Sequence, residues 1–352
     1  MGGLIAACMQ ERIRLRFSTG MSFFLDRLDE ITAVIAQKAQ KGYNEAMKKT
    51  IAVVGGAVLA SMCLGSMPNG GGPMKSVVTV PGELDMLVKH GHIQGATCSE
   101  KAIYVSHAGG IAKIDWNTGR VLKTCEARPH LGDIAYANGR IYGAYALWDC
   151  KPGESPLMVG VWDEDLKPIM ERRISYPGAR GLDGAVVVGD TLYVGVDHYG
   201  EKRWDHPPHN DCTVMMLATA DLSVKGTRDI MLDYPIHYGV QTLGTDGTDL
   251  FFGNYGATRD QGNLKGLNFS RVTLDFKLRE SRSFHASEGF GLVPKSVSGR
   301  DGPVFFNVNA LGGNMQGWRK DPKGNPPRVR FDFYSFDPAT GELARTSLIG
   351  CP

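Results

Sequence analysis

The chain has 352 residues, 42% of them apolar and 22% charged, with 39 Lys and Arg against 37 Asp and Glu and a formal net charge of +2. That composition belongs to a globular protein and excludes a disordered or collagen-like chain. No basic stripe breaks the near-neutral balance, so a nucleic-acid partner is not expected.

Residues 1–46 contain an amphipathic helical stretch, Phe23 to Ala46, unlike anything that follows. They read as an extension, or as a start called too early with Met47 the true first residue. From Met47 the pattern is a basic Met-Lys-Lys, an apolar run Ile51–Ala60 and a small-residue zone around Gly65 and Ser66. That is the layout of a secretory signal, and the run is too short and Gly-rich for a good membrane span. The expected mature chain begins near Met67, is periplasmic or extracellular, and keeps no integral membrane span. Cys63 offers a lipoprotein alternative, for which Met62 is a poor preceding residue.

From there to the C-terminus one phrase recurs five times, an apolar residue and then an aromatic one opening a strand. It reads Ile103-Tyr104, Ile141-Tyr142, Leu192-Tyr193, Phe251-Phe252 and Phe305-Phe306. Each copy follows a short turn such as Asn138-Gly139 or Gly189-Asp190, and an apolar run precedes each turn. Repeats of roughly 40–60 residues, each holding several short strands, indicate a radial β architecture. The expected fold is all-β, a five-bladed β-propeller over residues 77–350 with four antiparallel strands per blade.

In chain order the expected strands are 93–98, 102–106, 111–115 and 120–125; then 131–137, 140–146, 157–162 and 168–174; then 182–188, 191–196, 213–218 and 224–231; then 240–244, 250–254, 266–272 and 278–284; and last 290–295, 304–309, 328–336 and 342–349. Val77–Val80 precedes the first repeat and is placed to pair onto the last. The turns between first and second strands, and between third and fourth, are short. The second-to-third loops, 106–110, 147–156, 197–211, 254–265 and 310–327, are expected to be longer and irregular. Antiparallel strands reverse direction at each turn, so these loops share a face with the segments that lead into each repeat. Long loops on a rigid scaffold are where function concentrates.

The leading segments aim polar groups at one central volume: His92, Gln94, His130, Asp133, Arg180, Asp183, His237, Gln241 and Glu288. Asp133, Asp183 and Glu288 are three carboxylates from three repeats, a set able to supply the acid and base of glycoside hydrolysis. The three histidines offer a lyase base or metal ligands instead, and a purely structural role for polar inner-strand residues stands beside both. Trp148, Trp204 and Trp318 fall in the long loops and would wall such a pocket. The 197–211 loop holds His198, His206 and His209 with acidic neighbours, but in no recognised metal spacing. Seven cysteines include no CxxC; Cys150 and Cys212 are placed to pair in an oxidising compartment or to remain single.

The phrases His92-Ile-Gln-Gly95, Ala102-Ile-Tyr-Val105, Gly132-Asp-Ile-Ala-Tyr136 and Gly139-Arg-Ile-Tyr142 resemble those of secreted bacterial β-propeller proteins of poorly defined function. The resemblance covers about residues 77–350 and is one of fold. It implies a link to five-bladed propellers, many of which are glycoside hydrolases with three inner-strand carboxylates. This chain departs from that pattern in its first repeat, which offers His92 and Gln94 where a base is usual. The functional expectation is a carbohydrate-active enzyme, hydrolase or polysaccharide lyase, acting as a monomer on a glycan or small molecule. The alternative is a non-catalytic propeller that binds a glycan or a protein. No cofactor motif is present in the sequence.

Overall fold

The computed structural model describes residues 77–79, 93–147, 150–151, 154–198, 207–258, 262–286, 288–311 and 328–348. The extension 1–46, the signal-like segment 47–66, His92, Trp148, Trp204, His206 and Trp318 lie outside these residues.

The described chain is all-β and built of repeated antiparallel sheets. The first sheet runs β2 (Ile93–Cys98), β3 (Ala102–His107), β4 (Gly110–Asp115), β5 (Val121–Glu126), in that spatial order. The second runs β6 (Leu131–Ala137), β7 (Arg140–Ala146), β8 (Leu157–Asp163), β9 (Pro168–Ile174). Next come β10 (Gly181–Val188), β11 (Thr191–Asp197), β12 (His209–Ala218), β13 (Val224–Thr245), β14 (Asp249–Gly256), β15 (Phe269–Thr273) and β16 (Leu278–Arg282), joined in one seven-stranded sheet. The last contains β17 (Phe290–Val293), β18 (Val304–Leu311) and β19 (Arg328–Phe336), with the one-turn helix α1 (Lys295–Ser298) between the first two. Both β1 (Val77–Thr79) and β20 (Leu343–Thr346) pair with β19, β1 against Arg328–Arg330 and β20 against Phe333–Phe336. The strand before the first repeat thus does pair onto the last sheet.

Two expectations change. Strands 224–231 and 240–244 are a single strand, β13. Its alternation explains why: Ile230, Leu232, Tyr234 and Ile236 are buried while Met231 and Asp233 are exposed, so the period-2 pattern runs unbroken through the expected loop. Ile236 is the handover, pairing with His209 on one side and Gly256 on the other. The other change is at 106–110, where Ala108 and Gly109 alone connect β3 to β4, a tight hairpin rather than a long loop.

The recurring two-residue phrase now has a physical meaning. Neighbouring residues of a strand point to opposite faces of its sheet, and here each face packs on a different neighbouring sheet. Ile103 joins a cluster with Phe306, Val308 and Phe331, whereas Tyr104 joins one with Leu131, Ile134 and Trp162. Ile141 and Tyr142 divide in the same way, as do Phe251 and Phe252, and Phe305 and Phe306. The core is therefore a set of layers between sheets, each layer fed by one half of the phrase from either side. The layer joining β14 and β15 to the last sheet is nearly all phenylalanine: Phe290 stacks on Phe305 at 4.7 Å, and Phe251 meets Phe305 edge-on at 4.9 Å.

Burial falls from the first strand of a sheet to the last. β6 and β7 are almost wholly buried, whereas β5 and β9 are largely exposed. The first strands pack on one another in sequence, β2 on β6, β6 on β10, β10 on β13, β13 on β17, and β17 back on β2. That cycle brings the starts of β2, β6 and β10, the β13 segment around His237 and the approach to β17 to a common mouth.

Candidate functional site

At the mouth the first strands share a local irregularity. The pairing register shifts between Ile93 and Gly95, between Leu131 and Ile134, between Leu182 and Ala185, and between Val240 and Thr242. A bulge re-aims the side chains it carries. The residues inside these shifts include Gln94, Asp133, Asp183 and Gln241, four of the polar residues singled out from sequence. Small residues let the carboxylates approach the neighbouring strand. A Cβ on Gly95 would stand 2.1 Å from Asp133 Oδ1, and one on Gly132 would stand 2.4 Å from Asp183 Oδ1.

Asp133 and Asp183 have different surroundings. Asp133 is 0% exposed. Its Oδ2 accepts hydrogen bonds from the Leu243 amide at 2.9 Å and the Ala185 amide at 3.2 Å, and the Ile134 and Ala96 amides also favour its charged form. Burial is the larger influence and pushes its carboxyl well above the usual range. Asp133 therefore ties β2, β6, β10 and β13 together through their backbones. Of the three carboxylates grouped from sequence, it is the one with a structural task.

Asp183 is 7% exposed; Asp197, the last residue of β11, is 0% exposed, and neither of its carboxyl oxygens has a hydrogen-bond partner among the described residues. Burial, then the charge of Asp183, hold the Asp197 carboxyl well above the usual carboxylate range. Glu288, 6% exposed, leads into β17. Tyr255, near the end of β14, is the point these groups share. Burial first, then the charges of Asp183, Glu288 and Asp197, push its phenol well above its ordinary value, so it stays neutral. Asp183 and Glu288 are thus each within electrostatic reach of Tyr255.

The remaining sequence candidates surround this group or stand away from it. His237 is half-buried and pairs with Tyr255 across β13 and β14; its ring lies 5.3 Å from that of Tyr238. Tyr238 and Gly239 have φ of 70° and 144°, and the second value is available only to glycine. Gln241 is buried, its Nε2 without a hydrogen-bond partner among the described residues. Gln94 and His130 are half-buried, and His130 adopts φ 62°. Arg180 is exposed, its backbone amide donating to the Asp197 carbonyl at 2.9 Å. Further out, His198 Nε2 lies 3.3 Å from Thr213 Oγ1, whose hydroxyl donates to Asp229 at 2.7 Å. Among the described residues no group of three or more His, Cys, Asp or Glu is arranged to hold a metal ion. Cys150 and Cys212 are both free, so the pairing considered from sequence is not made; Cys212 is buried in β12.

Asp197 is the residue that sequence reasoning placed only at a loop boundary. Its signal was an acid closing an otherwise apolar strand, Leu192-Tyr-Val-Gly-Val-Asp197, opposite Gly181. A cavity of about 310 Å³ lined by Arg300, Asp301, Pro303, Ser335 and Phe336 sits by the turns at the other ends of the strands, away from this chemistry.

No protein-family model matches the chain, and no curated protein matches it. Among solved structures it is similar to Kuenenia stuttgartiensis hydrazine synthase, at 15% identity over 81% of this chain and 70% of that one, with a TM-score of 0.39. It is also similar to Myxococcus xanthus glutaminyl cyclase, at 9% identity over 70% of this chain and 93% of that one, with a TM-score of 0.44. A europium-containing methanol dehydrogenase gives 11% identity over 80% and 65%, with a TM-score of 0.35. These are distant likenesses to β-propeller proteins, and at such identities the likeness is one of fold alone.

Proposed function

We propose that the chain is an exported five-bladed propeller whose central mouth carries out acid–base chemistry on a carbohydrate, as a glycoside hydrolase or polysaccharide lyase. The blade number is supported by the cyclic packing of five leading strands, β2, β6, β10, β13 and β17. The feature that carries the chemistry is the pair of buried carboxyls Asp183 and Glu288, from separate sheets, whose charges both act on the Tyr255 phenol, kept neutral first by burial. Hydrolysis needs one carboxyl to donate a proton and another to act as base or nucleophile. Lyase chemistry needs a base beside a neutral donor, for which Tyr255 with a carboxylate is suited. Gln94, His130, Arg180, His237 and Gln241 would orient the ligand, as would His92, Trp148, Trp204 and Trp318 if their loops reach it. Asp133, whose Oδ2 is tied to backbone amides, has a structural part in this reading rather than the catalytic one expected from sequence.

The near-complete burial of Asp183 and Glu288 favours a second reading, a non-catalytic propeller that recognises a glycan or a protein partner. A screen of glycans and glycosides separates the two, run with the parent chain, Asp183→Asn and Glu288→Gln. The enzyme reading expects turnover by the parent and a fall of at least about 100-fold in each variant, with binding kept. Binding without turnover in every form selects the binding module. No binding and no turnover sinks both.

A further inference from the structure

Among the described residues, six that are not glycine hold a positive φ. Asn138, Leu166, Leu222 and Phe276 sit in the short turns between strands, where a left-handed residue is ordinary. His130 and Tyr238 stand at the mouth instead. A bulky side chain at φ 70° is strained, and such strain persists only where the surrounding structure enforces it.

Around Tyr238 the enforcement is a bulge. β13 pairs His237 with Tyr255 and then Val240 with Asn254, so Tyr238 and Gly239 are two extra residues pushed out of the ladder. The Tyr238 carbonyl accepts the His198 amide at 2.8 Å instead. Gly239 packs on the end of β11, where a Cβ would stand 2.7 Å from the Val196 carbonyl oxygen. A Cβ on Gly184, the neighbour of Asp183, would stand 3.1 Å from the Val240 carbonyl oxygen, so the bulge lies beside the strand that carries Asp183. Neighbouring residues of a regular strand point to opposite faces. Here the rings of His237 and Tyr238 are only 5.3 Å apart and inclined at 33°, which sets both on one side of β13. Both residues are half-buried, and neither belongs to a layer between sheets. The strain therefore serves to place two rings side by side at the mouth, not to pack a core.

We propose that Tyr238, with His237 beside it, is an aromatic platform on which a pyranose ring of the ligand stacks through its C–H face. The inference rests on the carbohydrate reading of the mouth and gives it a binding residue that the sequence did not single out. A tyrosine has a broad apolar face and a polar tip, which match the C–H patch of a sugar and the hydroxyls around it.

The test is calorimetric binding and thermal melting of the full chain, as parent, Tyr238→Phe, Tyr238→Ala and Tyr238→Gly. The probes are short oligosaccharides of β-linked glucose, xylose, mannose and N-acetylglucosamine. The parent binds at least one of them, Tyr238→Phe keeps that affinity within about 3-fold, and the alanine and glycine variants lose about 10-fold or more. Glycine suits φ 70°, so Tyr238→Gly melts about 2 °C or more above Tyr238→Ala while binding no better. A structural tyrosine would give affinities that follow the melting temperatures through the series, and that result overturns the platform. So does binding by Tyr238→Gly as tight as the parent's; in both cases the carbohydrate reading stands. Binding by the parent without turnover, with affinity lost in Tyr238→Gly, removes the catalytic reading and supports the platform. A parent that binds none of these sugars overturns both.

Discussion

Asp133 and Asp183 occupy matching places in adjacent sheets, yet the protein uses them in different ways. Each sits in a register shift at the start of a leading strand, and each leans over a glycine of the preceding sheet. Asp133 Oδ2 meets backbone amides from neighbouring strands; the charge of Asp183 acts on another buried carboxyl, that of Asp197. The first arrangement stabilises the fold through Oδ2, which satisfies two buried amides, while Oδ1 has no hydrogen-bond partner among the described residues. The second does not, because two neighbouring acids repel each other when both are charged. A polar residue at a repeat position thus has no fixed meaning. What decides is whether the neighbouring sheets present donors or acceptors to it.

The largest expected effect follows from breaking the Asp133 side of this contrast. Asp133→Ala leaves the Leu243 and Ala185 amides buried without their acceptor, at a cost of about 3–5 kcal/mol in denaturant unfolding. Asp183→Asn, which keeps the shape, is expected to change stability by about 1 kcal/mol or less. Equal losses at the two sites would remove the distinction.

Gly132→Ala has an intermediate effect. Its Cβ would stand 2.4 Å from Asp183 Oδ1 and 3.0 Å from Asp183 Cα, so Asp183 must move. Thermal melts are expected to show a loss of about 1–3 kcal/mol, with activity falling further than stability. An alanine variant with parental activity would mean that Asp183's position is not critical.

Asp197 predicts a pH dependence. Burial and Asp183 raise the folded-state pKa of Asp197 above its unfolded value. Its contribution to stability is therefore full below the unfolded value, about pH 4, and is lost as pH rises toward the folded one. Asp197→Asn does not titrate. Its melting temperature should match the parent's near pH 4 and exceed it increasingly above, the gap growing by up to about 1.4 kcal/mol per pH unit. Parallel curves across pH 4–9 would refute this.

Tyr255→Phe gives the smallest change in stability, within about 1 kcal/mol by denaturant titration, because Tyr255 is half-buried at the mouth rather than in a layer between sheets. A loss comparable to that of Asp133→Ala would make Tyr255 a structural residue and weaken the site reading.

Much of the architecture was legible in the chain alone. The phrase from Ile103-Tyr104 to Phe305-Phe306 and the turns before it marked out the repeats, and strands such as β2, β6 and β7 fall on their expected bounds. Period-2 alternation is a local property, and the chemistry of short turns is local too, so both survive in the sequence. The continuity of β13 was also written there, in Ile230, Leu232, Tyr234 and Ile236, but Pro235 and the His237-Tyr238-Gly239 segment obscured it. The site was legible by half. Asp183 and Glu288 stood out as acids at leading segments, as did Asp133, and nothing local separated them. Only the tertiary structure set Asp133 beneath the amides of Ala185 and Leu243, 52 and 110 residues away, and enclosed Asp197 behind Gly239. The charge a carboxyl carries depends on which donors and which other acids surround it, and that neighbourhood exists only once distant strands have packed.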